Sequence, residues 1–212
     1  MKITNKIHRV TSIIAAVLLI LSVVSSLLGT VRNLENYISN AASMLALVFS
    51  LVGNAFSVMF AVILLRGKKD MVSGILVVLS ALYAFLGVFS FGASLLANAA
   101  YGGNTAYFAC SFLVQLLTAA FRICIAIECF AYGTFSKNAS RVILIILPIL
   151  NVVLNIVSNY SLAAGYLQDG DFSAVLITFL SFAFSAILGN VPAVLMGISF
   201  SIPVKEYTFD IH

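Results

Sequence analysis

An arginine in an otherwise uncharged apolar stretch is the residue in this chain best suited to chemistry. Arg122 follows a run from Met71 to Phe121 without any Asp, Glu, Lys or Arg. Placing it at the centre of a bilayer costs about 2.5–3.5 kcal/mol on the lenient insertion scale, so it is expected to face protein or water rather than lipid. Gln115 lies seven residues earlier and Thr118 between them, which makes a polar stripe on one helix face suited to lining a cavity. Glu128 follows six residues later, about 9 Å along a helix axis, too far round for a direct contact pair. Two roles stay open for it: neutralising Arg122 through water or a ligand, or reaching headgroup water at the bilayer edge.

The remaining candidates are asparagines. Asn151 and Asn155 are four residues apart and share a helix face with Ser158, a pattern that fits a polar solute or hydrogen bonding between helices. Asn54 and Asn190 sit in similar wording, Phe49-Ser50-Leu51-Val52-Gly53-Asn54 and Phe184-Ser185-Ala186-Ile187-Leu188-Gly189-Asn190, and Arg122 is midway between them in number. Pro192 withholds an N–H from the helix and is expected to kink it. These seven residues, Arg122, Gln115, Glu128, Asn54, Asn190, Asn151 and Asn155, form the candidate solute-binding set.

The elements that must carry them are membrane helices. The chain has 212 residues, is 62% hydrophobic and 8% charged, and has a mean hydropathy of +1.15, outside the range of soluble domains. A second uncharged run extends from Phe172 to Val204. Alternating strand patterns are missing, so an all-α integral membrane protein of six transmembrane helices is expected, in one polytopic domain over 1–212. The helices are placed at about 10–29, 41–65, 71–96, 106–134, 142–159 and 173–201. The first is read as an uncleaved span rather than a signal peptide, since its apolar run is longer than a signal core.

Orientation follows from the basic residues. The six-helix scheme puts Lys2, Lys6, Arg9, Arg66, Lys68, Lys69, Lys137, Arg141 and Lys205 on one side and Arg32 on the other. Positive-inside bias then makes both termini cytoplasmic and the cell membrane the expected location. Three hairpins rise from that side, which suggests a threefold pseudo-repeat.

Several function classes are excluded or disfavoured. The net charge of +4 comes from clusters flanking apolar runs, which argues against nucleic acid as a partner. No nucleophile with a neighbouring base, aspartate pair or His-Glu-x-x-His pattern stands out, so no enzyme is expected. His8 and His212 lie at the two ends and Cys110, Cys124 and Cys129 in one helix, so neither a metal, a cofactor nor a disulfide is expected.

In helix number, orientation and longer external loops the layout resembles the substrate-binding membrane subunit of energy-coupling-factor vitamin transporters. That resemblance implies solute capture and a transporter partner. The family's alanine-rich docking motif is missing, because Ala15-Ala16 is not followed by the spaced alanine. Val52-Gly53-Asn54 to Lys69 with Leu79-Ser80-Ala81-Leu82 looks like the first two helices of a rhodopsin-like receptor. However, Glu128-Cys129-Phe130 lacks that family's arginine and too few helices follow. Neither likeness assigns a family. The expectation is a small-solute transporter or ligand-binding subunit in contact with lipid. The alternative is a non-catalytic assembly or regulatory subunit of a membrane complex that docks a protein partner.

Overall fold

The computed structural model describes residues 2–38, 41–67, 70–101, 104–131, 134–136, 139–163 and 172–202, the side chains of 2–7, 36, 41, 42, 162, 163, 172–175, 178, 182 and 185 aside. The expected loop around Asp169 and Asp171, the cluster residues Lys68, Lys69 and Lys137, and Pro203, Lys205 and His212 lie outside the described residues. All regular structure among those described is helical. The helices are α1 (Lys2–Arg32), a short α2 (Leu34–Ile38), α3 (Ala41–Arg66), α4 (Met71–Tyr101), α5 (Thr105–Phe130), α6 (Ile143–Ala163) and α7 (Phe172–Ser201). Six of them are long and apolar enough to cross a membrane, and the many leucines, valines and phenylalanines on their outer faces are suited to lipid.

Local chemistry sets the helix ends. α3 stops at Gly67, whose φ of +64° is the left-handed conformation that glycine takes without a Cβ penalty, and whose N–H returns to the Ile63 carbonyl at 3.1 Å. Asp70 then caps α4. Its carboxylate accepts from the Ser73 N–H at 2.8 Å and pairs with Arg66 at 3.1 Å. The hydrogen bonding of Ser73 holds the Asp70 carboxyl below its ordinary 3.8, and Arg66 adds to the effect. Asn104 caps α5 by accepting from the Tyr107 N–H at 3.1 Å.

The helices follow one another round a ring. α3 packs on α1, α1 on α7, α7 on α6, α6 on α5 and α5 on α4, while α3 and α4 barely touch despite their short connection. Tyr83 of α4 spans that thin seam: its hydroxyl donates to the Phe49 carbonyl at 2.6 Å, and its ring lies 5.3 Å from that of Phe56.

The α5–α6 seam is antiparallel and keeps a seven-residue step. Ser111 meets Ser158 at 3.3 Å and Thr118 meets Asn151 at 2.9 Å. Ile125 and Leu144, both fully buried, fall at the next step. Such a period matches helices that pack at a shallow angle. On the other flank of α6, Gly197 of α7 lies so close to the Leu144 carbonyl that a Cβ there would overlap it.

The packed core sits at one end of the bundle. Ala15, Ala16, Phe60, Ile63, Leu64, Val77, Phe121, Ile125, Leu144, Met196 and Phe200 are all buried, and each lies in the half of its helix nearer the basic boundaries. Among the described side chains, the opposite half carries few that are buried and apolar.

Candidate functional site

Arg122 projects from the third turn from the end of α5 toward α3 and α4. Its Nη1 donates to the Ser80 carbonyl at 2.6 Å, and its guanidinium carbon lies 5.8 Å from the centroid of the buried Phe60 ring. A cation over an aromatic face gains about 0.5–2 kcal/mol, more when water is excluded. No carboxylate among the described residues pairs with it, and the only ion pair there is Arg66 with Asp70. No acceptor among the described residues takes the remaining guanidinium donors.

Glu128 makes no direct ion pair with Arg122. Its fully buried carboxylate accepts the backbone N–H of Phe135 at 2.8 Å, that of Ser136 at 3.2 Å and the Ser136 hydroxyl. α5 accordingly ends at Phe130, earlier than the hydrophobic run suggests, because the chain turns back to bring residues 135 and 136 onto that carboxylate. Burial sets aside contact with headgroup water, and the contacts add a role that the sequence did not suggest, in which the carboxylate fastens a loop.

The asparagines divide. Asn151, 5% exposed, donates to the Thr118 hydroxyl, which in turn donates to the Val114 carbonyl. The Asn151 Oδ1 is buried without a partner among the described residues. Asn155 donates to the Asn151 carbonyl within its own helix. Asn54 reaches from α3 to the Ser26 hydroxyl of α1 at 3.1 Å. Asn190 turns back on its own helix, to the Ala186 carbonyl at 2.7 Å. Gln115 lies against the bare Cα of Gly87 in α4. Gln115, Thr118 and Arg122 therefore share the α4–α5–α6 side of the bundle with Asn151, whereas Asn54 and Asn190 belong to other seams. Asn54, Arg122 and Asn190 each have a different kind of partner.

Sequence reasoning missed a polar node at the basic end. The buried His8 of α1 lies with its Nδ1 3.0 Å from the Ser199 hydroxyl of α7 and 3.4 Å from that of Ser12, and the two serines contact each other. The signal was present in part, since His8 and Ser12 are four residues apart, but their partner is 187 residues further on. A serine beside an imidazole has the spacing of a base-activated nucleophile. Here Ser199 is 1% exposed and the adjoining cleft, lined by Ile63, Leu64 and Phe200, holds about 10 Å³. That is room for roughly one water, and the node fastens α1 to α7.

Among the described residues no group of histidine, cysteine, aspartate or glutamate is gathered to hold a metal ion. Comparison with protein-family models, with curated proteins and with solved structures gave no match.

Proposed function

We propose that this multi-pass membrane protein binds a small anionic or carboxylate-bearing solute at Arg122, as a transporter or as a ligand-binding membrane subunit. The observation that carries the reading is the Arg122 guanidinium, held between a carbonyl and an aromatic face without a carboxylate partner among the described residues. A cation in that setting favours an incoming anion, and the planar fork of arginine suits a carboxylate. Gln115, Thr118 and Asn151 extend a polar surface along the same side, and the unpartnered Asn151 Oδ1 offers an acceptor for a donor group on the solute. No enzymatic step is part of the proposal. The proposal includes the cell membrane as its location, with the basic ends in the cytoplasm, a reading supported by the positive-inside bias.

The test is binding and uptake of organic anions by purified protein in liposomes. Arg122→Leu is expected to abolish both, and Arg122→Lys to retain part of the binding, because it keeps the charge and loses the fork. Normal uptake by a well-folded Arg122→Leu protein refutes the proposal. A second reading, an assembly subunit, draws on the way Asn54, Asn155 and Asn190 are taken up in hydrogen bonds that join or stiffen helices. Co-purification of a stoichiometric membrane partner, with anion binding missing, decides for it.

A further inference from the structure

α1 and α7 are joined tightly at the Ser12–Ser199 node, and ten residues further along each helix, about 15 Å by helical rise, they border an open cleft. The cleft measures about 470 Å³ and is lined by Leu18, Leu21, Ser22 and Ser25 of α1 with Leu188 and Pro192 of α7. Gly189 adds to the opening, since nothing lies within 4 Å of where its Cβ would be. This is the size of a small-molecule site, and its depth places it well inside the apolar span.

Three polar groups without partners of their own among the described residues belong to residues that line it. The hydroxyls of Ser22 and Ser25 are exposed and form no hydrogen bond among the described residues. Pro192 has no N–H to give the Leu188 carbonyl one turn earlier. Ser26, at the back of the cleft, is held by Asn54 of α3. Unmatched hydroxyls and a released carbonyl in contact with hydrocarbon call for a ligand that both donates and accepts. The lining carries no charge.

We infer that this cleft takes an uncharged, alcohol-headed lipid from the bilayer, its hydroxyl between Ser22, Ser25 and the Leu188 carbonyl and its chain against Leu18, Leu21 and Pro192. A hydroxyl supplies one donor and accepts from a serine at once. An alkane leaves these groups unmatched, and a fatty-acid anion finds no cation. The site is separate from Arg122 and does not depend on it.

The experiment uses the full chain in phosphatidylcholine vesicles with a diazirine-bearing hexadecanol as the photoreactive probe. Labelling is expected within residues 18–26 and 188–192, with unlabelled hexadecanol competing about tenfold better than hexadecane or palmitate. The double variant Ser22→Ala/Ser25→Ala is expected to lose that preference while its melting temperature stays unchanged, since both side chains are exposed. Gly189→Leu, which fills the opening, is expected to remove the labelling. Labelling spread evenly over all lipid-facing helices, equal competition by hexadecane or palmitate, or labelling at this cleft unchanged in the serine variant overturns the inference. So does mutual cross-linking of two chains through this face in place of lipid labelling.

Discussion

Replacing Glu128 by alanine withdraws the acceptor of at least two backbone N–H groups and one hydroxyl, those of Phe135 and Ser136. Each buried donor left without a partner costs about 1–3 kcal/mol, so the two N–H groups alone imply a loss of about 2–6 kcal/mol. Glutamine is the informative contrast. Its amide oxygen, placed where Oε2 now lies, keeps both N–H bonds but makes them neutral, a loss of about 1 kcal/mol each. The Ser136 hydroxyl turns to accept from the new NH₂ group. For a chain of this size, about 2 kcal/mol corresponds to a fall of about 4–8 °C in melting temperature, and the alanine variant is expected to fall further. The readout is thermal unfolding in detergent followed by a thiol-reactive dye, because Cys129, adjacent in sequence, is only 5% exposed and reacts when this end opens. Anion binding at Arg122 is expected to survive in the glutamine variant. The reasoning is refuted if Glu128→Ala melts with the native protein. It is equally refuted if Glu128→Gln leaves melting unchanged and abolishes anion binding, which would make the carboxylate a partner of Arg122.

Gly197→Ala is expected to destabilise by about 1–3 kcal/mol, because the new methyl meets the Leu144 backbone, which has less freedom to shift than a side-chain tip; chemical or thermal unfolding reads it, and a neutral result denies the close approach. Asn151→Leu is expected to be near neutral, since it loses the bond to Thr118, about 0.6 kcal/mol for such contacts in membranes, and also removes the orphaned Oδ1; a large loss of stability on unfolding shows that this oxygen has a partner. Asp70 stabilises the folded chain at pH above its unfolded value near 3.8, and that contribution is lost as pH falls through its lower folded value; Asp70→Asn is expected to lack this acid-side dependence in melting curves recorded from pH 2 to 6.

Hydropathy and charge made the membrane-crossing helices legible, because a span needs only length and the lack of charge, both visible in a local window. The basic boundary at Arg66, Lys68 and Lys69 was readable for the same reason, since its residues are adjacent in sequence, whereas the Gly67 turn and the Asp70 cap came with the structure. Arg122 was legible as an anomaly. Its partners were not, because a backbone carbonyl at Ser80 has no signature and any phenylalanine can supply a ring. The partners of Glu128 were not legible either, because they include N–H groups of a turn, and every residue but proline carries one. The node of His8, Ser12 and Ser199 joins opposite ends of the chain, and the α1–α7 cleft depends on which helices become neighbours. Ring order is not encoded in hydropathy, so neither feature could be read before the fold was known.

The concentration of packing at the basic end, among the described residues, gives small tilts there a long reach. α7 is fastened through Ser199 and Gly197 near its last turn, and from there to Phe172 it extends 27 residues, about 40 Å of helix. By geometry alone, a tilt of about 5° corresponds to about 3–4 Å of sideways travel over that length. Any such travel is shared with α6, because the rings of Tyr160 and Phe179 meet with centroids 5.7 Å apart.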